Sequence, residues 1–251
     1  MVEKSVSIVI PAYNEERRIE GTIGNLLNGV SNLKEIIVVF DGTDKTPEIV
    51  KATCPDCIIL QFEHRLGKGR AIKEGIGKAT GDIVAYLDAD GSIPSHEVQR
   101  LIGLLEEGNF VVSSRWRKDS KIRVKQPFHR IFFGRIFHYF VFFLFRIDLK
   151  DTQCGLKIFG GKNIKEVIQK VNVFDWAFDV SVIYHSMKYG LTPTEVGIEW
   201  NNEDGSKLKV FKTIPSMFIS VIGMWFINKH SNLSKIKTII KKLESEFLHD
   251  N

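Results

Sequence analysis

The sequence predicts an α/β fold, a mostly parallel central sheet flanked by helices. Four short runs, Ser5–Ile10, Glu35–Phe40, Cys57–Phe62 and Asp82–Leu87, are apolar with little alternation, as strands covered on both faces are. Between them lie stretches of helical periodicity, and repeated βα units imply right-handed crossovers and a parallel sheet. A length of 251 residues suits one substantial domain with its own core.

The elements follow in order. After the first strand, Pro11-Ala12-Tyr13-Asn14 turns into a helix with Asn14 as its expected cap and Ile19, Ile23, Leu26 and Leu27 on its inner face. The second strand closes in Asp41-Gly42-Thr43-Asp44, and Pro47 sits early in the next helix, where its missing N–H costs nothing. The third strand leads through a glycine-rich turn into a helix ending near Ala79. A helix over Ser95–Glu107, a strand over Phe110–Ser114, a helix over Ala177–Tyr189 and a strand over Thr194–Trp200 come next, with a polar loop over Asn201–Lys209. One domain is expected over residues 1–213, followed by apolar and amphipathic helices over 214–251.

The formal charge is +5, and it is concentrated. Between Arg115 and Lys150 ten Lys and Arg face two Asp, so this segment carries +8 and the rest of the chain −3. The segment is also rich in Phe. Placed on a helix, Arg130, Gly134 and His138 share one stripe, while Phe128, Phe132, Phe133, Phe137, Phe140 and Phe143 cover much of the remainder. That pattern suits a helix lying in a membrane interface, or else a helix buried in the domain. No recognised nucleic-acid-binding motif accompanies it, so nucleic acid is not an expected partner. No stretch reaches the roughly 18 to 20 uncharged apolar residues of a membrane span. Ile214–Ile227 comes close but contains Pro215 and Gly223. The tail from Lys229 has an amphipathic pattern that fits a membrane surface or the protein body equally. Three cysteines and no visible signal peptide suggest a reducing compartment, with Cys54 and Cys57 as ordinary thiols.

The chemistry concentrates where strands end. Ile83–Leu87 stops abruptly at Asp88-Ala-Asp-Gly91, which places two carboxylates at the carboxyl edge of a parallel sheet, where such sheets bind ligands. Hard oxygen ligands favour Mg²⁺ or Mn²⁺, and magnesium commonly takes one or two carboxylates plus substrate phosphates. A nucleoside-diphosphate donor is the natural partner of that site. Tyr13, Asn14 and Glu15 follow strand one, Asp41 follows strand two and Arg65 to Arg70 follow strand three, so all converge on the same edge. Glu15 and Asp41 offer acceptors to a base or ribose, and Lys68 in Gly67-Lys-Gly69 opens a helix and favours an anion. The spacings of a Walker loop and of a dinucleotide fingerprint are both absent.

Together, Ser7-Ile-Val-Ile-Pro-Ala-Tyr-Asn-Glu15, Phe40-Asp-Gly-Thr43, Gly67-Lys-Gly-Arg-Ala71, Gly81-Asp82 and Asp88-Ala-Asp-Gly91 resemble the inverting, nucleotide-sugar-dependent glycosyltransferases of the GT-A fold. The chain departs from the usual pair of acids by having Phe40 before Asp41. Ser114-Arg115, Arg130, Asp151-Thr-Gln-Cys-Gly-Leu-Lys-Ile-Phe159, Trp176-Ala-Phe-Asp-Val180 and Ile198-Glu-Trp-Asn-Asn-Glu-Asp-Gly-Ser-Lys-Leu208 look like the dolichyl-phosphate β-glucosyltransferases, relatives of the dolichyl-phosphate mannose synthases. Ser181 departs again, since those relatives commonly carry Glu there.

The resemblance implies a metal-dependent, inverting transfer of a hexose, glucose by preference from UDP-glucose, to dolichyl or another polyprenyl phosphate at the cytoplasmic face of a membrane. By it, Asp88 and Asp90 hold Mg²⁺ or Mn²⁺ and the diphosphate. Pro11, Ala12, Tyr13, Glu15, Asp41, Lys68, Ala89, Ser206 and Lys207 complete the donor site, and Arg115, Arg130 and Lys157 gather around the acceptor phosphate. The same fold acting on a saccharide acceptor, or an inactive peripheral membrane protein, are the alternatives.

Overall fold

The computed structural model describes residues 4–124, 128–171, 173, 177–201 and 210–229, and the side chains of all of these except 128–130, 210–214 and 229. The strands are β1 (Val6–Ala12), β2 (Leu33–Phe40), β3 (Ile58–Gln61), β4 (Ile83–Tyr86), β5 (Asn109–Ser114), β6 (Lys121–Ile122), β7 (Lys157–Gly160), β8 (Thr192–Gly197) and β9 (Glu199–Trp200). The helices are α1 (Ile19–Gly29), α2 (Thr46–Thr53), α3 (Lys68–Lys78), α4 (Ser95–Ile102), α5 (Phe128–Phe145), α6 (Gly161–Ile168), α7 (Phe178–Lys188) and α8 (Val210–Lys229).

Seven strands form the main sheet in the order β3-β2-β1-β4-β7-β5-β8. All neighbours run parallel except β7, which lies antiparallel to both β4 and β5. The small strands β6 and β9 pair with each other. Because side chains alternate along a strand, the sheet is buried on both faces. Ile8 and Ile10 pack with Ile23 of α1, Val50 of α2 and Val98 of α4, while Val9, Val84 and Tyr86 pack with Ile72 of α3, Ile164 of α6 and Phe178 of α7. The sandwich explains why the first four runs read as continuous apolar strands.

Several expectations need correction. Helix α1 starts at Ile19, and Asn14 does not cap it. Asn14 takes a left-handed conformation, φ 56°, and its Oδ1 accepts the N–H groups of Thr43 (2.7 Å) and Asp44 (3.3 Å), so it ties the loop after β1 to the loop after β2. Leu27 is exposed rather than on the inner face. Helix α4 stops at Ile102, and the run Thr194–Trp200 is split between two sheets. The pair Cys54 and Cys57 is a disulfide, not two free thiols. A turn in which Cys57 N–H donates to Cys54 O (3.0 Å) brings the two Cα atoms to 5.3 Å, within bridging range. Sequence periodicity missed β7 and α6, which are too short for a clear pattern.

Helix α5 is neither wholly buried nor wholly free. Phe137 and Val141 are buried, and Phe137 and Phe140 pack on Phe218 of α8 with ring centroids 5.5 and 4.7 Å apart. Phe132, Ile136, Tyr139 and Phe143 face outward, Phe143 being 72% exposed. No helix among the described residues is long and apolar enough to cross a membrane. Arg130 lies on α5, but its side chain falls outside the described residues, as do Ser206, Lys207 and the tail after Lys229.

Candidate active site

The expected convergence of strand ends occurs. On β4, Tyr86 faces the α3/α7 side of the sheet, and period-2 alternation puts Asp88 on the same side just past the strand. Gly91 turns the chain with φ 74°, and Asp90 is held by accepting the Ser92 N–H at 3.0 Å. Ala89 is buried, and its carbonyl accepts the Thr22 hydroxyl of α1 at 2.9 Å. This leaves two carboxylates on a fixed turn. Burial pushes the Asp90 carboxyl above the usual range, and the charge of Asp88 pushes it further. Two carboxylates that repel each other fit a hard divalent cation, which would relieve the repulsion and commonly keeps positions for phosphate oxygens. No cluster of three or more ligating side chains occurs among the described residues.

The neighbouring loops are organised around this turn. Asp41 uses Oδ2 to accept the N–H groups of Leu66 (2.7 Å) and Gly67 (2.9 Å). The carboxylate expected at a nucleoside therefore anchors the glycine-rich loop, at which Gly67 has φ 78° and starts α3. Glu15 pairs with Arg18, whose Nε lies 2.8 Å from Oε2, and donates its N–H to Thr46 Oγ1 (2.9 Å). Tyr13 carries the Arg65 guanidinium 4.2 Å above its ring. Pro11 and Ala12 end β1 beside Val39 and Phe40.

Lys68, expected to wait for an anion, already holds two carboxylates. Its Nζ is 3.0 Å from Asp88 Oδ1 and 3.3 Å from Asp179 Oδ2. Asp179 on α7 also accepts Lys157 Nζ at 2.6 Å and the Tyr86 hydroxyl at 2.9 Å. Burial alone raises the Asp179 carboxyl, but Lys157 and Lys68 more than offset it and hold it below the usual range. Lys157 corrects the expectation for that residue. It is fully buried, donates also to Cys154 O (2.7 Å) and supports the site from beneath instead of facing an acceptor phosphate.

Arg115 sits across the sheet edge, just after β5. Its Nε and Nη2 bond Asp151 Oδ2 (2.7 Å) and Oδ1 (2.9 Å), a bidentate pair that Arg115 N–H reinforces at 3.0 Å. Asp151 is fully buried and gives its own N–H to Glu195 Oε1 on β8 (2.9 Å). Burial raises its carboxyl, and Arg115 brings it below the ordinary value. The guanidinium packs between Trp116 (6.0 Å) and Trp200 (5.7 Å). Trp116 in turn lies on Gly134 of α5, where an added Cβ would meet its ring at 2.8 Å, and Arg135 stacks on it at 4.9 Å. Arg115, expected at the acceptor, is thereby linked through Trp116 to α5.

A family model described as glycosyl transferase family 2 matches residues 7–167. The chain belongs to glycosyl transferase family 2. The matched span carries β1 to β7 and with them Asp41, Lys68, Asp88, Asp90, Arg115 and Lys157. Among the curated members it resembles is a dolichyl-phosphate beta-glucosyltransferase of Dictyostelium discoideum, 29% identical over 88% of this chain and 76% of that one. Another, from Trichomonas vaginalis, is 31% identical over 82% of this chain and 68% of that one. The crystal structure of glucosyl-3-phosphoglycerate synthase from Mycobacterium tuberculosis, in complex with Mn²⁺, uridine diphosphate and phosphoglyceric acid, has the same fold. Its TM-score is 0.71 over 88% of this chain and 78% of that one, at 17% identity.

Sequence reasoning on this family 2 chain missed Tyr86, Gly155 and Glu195 as parts of the site, and read Asp179, within the motif Trp176–Val180, only as a residue that could orient the sugar, without its lysine partners. The Asp88 carboxylate lies on Gly155, where an added Cβ would meet Oδ2 at 2.4 Å and displace it. An acid inside the apolar helix run of Val180, Val182 and Ile183 was the available signal for Asp179. Ser181, noted above as a departure, is fully buried in the same helix.

Proposed function

We propose that the protein transfers glucose from UDP-glucose to dolichyl or a related polyprenyl phosphate, with inversion, at the cytoplasmic face of a membrane. The observation that supports this most is the opposition of Asp88 and Asp90 to Arg115, held rigid by Asp151, in a chain whose curated relatives are dolichyl-phosphate β-glucosyltransferases. Asp88 and Asp90 would hold Mg²⁺ or Mn²⁺, which neutralises charge on the departing diphosphate when bound. Arg115 keeps N–H donors beyond those bonded to Asp151, because a guanidinium has five. These donors, with Arg130 from α5, would orient the acceptor phosphate. One of its oxygens then bonds to the anomeric carbon as the bond to the nucleoside diphosphate breaks on the opposite side.

A phosphate is already an anionic nucleophile, so positioning serves it more than a general base. The chain's own carboxylates agree with this. Asp151 and Asp179 are each engaged by cations and held below the ordinary carboxylate range, which makes them poor bases for a neutral sugar hydroxyl. The outward face of α5, with Phe132, Ile136, Tyr139 and Phe143, fits the interfacial layer of a membrane that presents the lipid acceptor.

The test is incubation with radiolabelled UDP-glucose, Mn²⁺ and dolichyl phosphate in detergent or liposomes. Label is expected in an organic-extractable, acid-labile product, and release of UDP should depend on dolichyl phosphate. Label found only on soluble sugars would overturn the acceptor assignment.

A further inference from the structure

Lys68 bridges two carboxylates of unequal freedom. Asp179 is the fixed one, its side chain only 3% exposed and already bound by Lys157 and Tyr86. Asp88 is the open one, with its side chain 38% exposed at the sheet edge. The ammonium between them has three donors on a flexible four-carbon stem, so it can keep one partner while exchanging another. Lys68 is also the first residue of α3, where helix N–H groups favour an anion.

The two expected duties of this region compete. An Asp88 that ligates a divalent cation is in conflict with an ammonium 3.0 Å from its Oδ1, since cation and ammonium repel at the same carboxylate. The repulsion between like charges grows with the charge of the ion and is strongest in a partly buried site such as this one. The ammonium is the mobile partner, and a diphosphate offers it new acceptors within the same edge.

We propose that Lys68 is a transferable counter-ion, paired with Asp88 until a divalent cation takes that carboxylate and then passed to the donor's diphosphate, and that Asp179, pinned by Lys157 and Tyr86, is the positioning residue that keeps it in reach. The proposal rests on the nucleotide-sugar reading above. It assigns a task to three buried groups, Asp179, Lys157 and Tyr86, that the transfer step itself does not use.

Calorimetric titration of the full chain with Mn²⁺ alone, and with UDP at saturating Mn²⁺, tests it. Lys68→Met should bind Mn²⁺ alone about three- to fivefold more tightly, the scale of losing one partly exposed charge pair. The same variant should bind UDP about tenfold or more weakly, the scale of one charge-assisted hydrogen bond. Asp179→Asn should shift Mn²⁺ binding the other way, to weaker, because Lys68 then has Asp88 as its principal partner. Lys68→Arg should restore part of the UDP affinity. A purely structural role would lower both affinities together in Lys68→Met. If Asp179→Asn fails to fold, the opposite signs in Lys68→Met decide the matter alone. Unchanged or weaker Mn²⁺ binding in Lys68→Met, with Mn²⁺-dependent UDP binding intact in the wild type, overturns this proposal only. A wild type that binds no UDP in the presence of Mn²⁺ overturns the donor reading and this proposal with it.

Discussion

Two ion networks lie under the same edge of the sheet and are built differently. Arg115 and Asp151 form a closed pair, one guanidinium on one carboxylate through two parallel bonds, with a main-chain N–H of each residue also engaged. The second network is shared, with Asp179 serving Lys157, Lys68 and Tyr86, and Lys68 reaching on to Asp88. A closed planar pair fixes direction, because neither member can turn without losing both bonds. A shared carboxylate with compact ammonium partners fixes only total charge and leaves one cation able to change sides. The pair after β5 is thus held rigid, and the network under Asp88 is the one in which, on the proposal above, a cation changes partners.

Breaking the closed pair should cost most. Asp151→Asn leaves a buried guanidinium without its counter-ion and should destabilise the fold by about 3 to 5 kcal/mol in urea unfolding. Asp179→Asn should cost less, since Lys68 retains Asp88 and Lys157 retains the Cys154 carbonyl. Equal losses would erase the distinction between the networks. The Asp151 contribution also has a pH signature. Its folded carboxyl lies below the ordinary 3.8, so the stabilisation is fully present above that value and is lost as pH falls below it towards the folded value. The stability gap between wild type and Asp151→Asn should therefore stay constant from neutral pH down to about 4 and narrow only beneath that.

Next in size is Asp90→Ala, which should lower kcat/KM for glucose transfer about 10²- to 10³-fold, the cost of removing one preorganised charge-stabilising group. Thermal melting should show the fold intact. Arg115→Lys sharpens the comparison from the other side. A lysine cannot make the bidentate pair, so KM for polyprenyl phosphate should rise about tenfold while KM for UDP-glucose stays within about twofold. Parallel rises in both would mean that the two halves are not separable. The smallest effect is expected from reducing the disulfide between Cys54 and Cys57. It closes a very short loop away from both networks, so reduction should cost at most about 2 kcal/mol in stability and leave transfer kinetics unchanged.

The two halves were also unequally legible. The half around Asp88 could be read because β1, β2 and β4 are apolar runs followed by polar residues, and their parallel direction carries each ending to the same edge. What composition could not show was the partner of each charge. Asn14 has the chemistry of a helix cap but bonds the loop after β2, a tertiary contact that local propensity does not encode. Asp41 has the chemistry of a ribose acceptor but holds Leu66 and Gly67. Lys157 was expected, by resemblance, beside an acceptor phosphate. Only the antiparallel register that sets it beside Tyr86 on β4 shows that it is buried. Asp151 was visible in its motif, yet the motif does not say that Arg115 is its partner.

The place of β7 has a consequence for biosynthesis. It inserts between β4 and β5, pairing Tyr86 with Lys157 and Val111 with Ile158, although it leaves the ribosome after both of them. A nascent chain that stops short of Lys157 can assemble the order β3-β2-β1-β4, but β4 then carries an open edge beside Asp88 and no covering network. Open edges invite pairing with other chains. The turn that carries Asp88 and Asp90 is therefore made early and kept unfinished, and the strand that closes the sheet also delivers Lys157, which pairs with Asp179 beneath it.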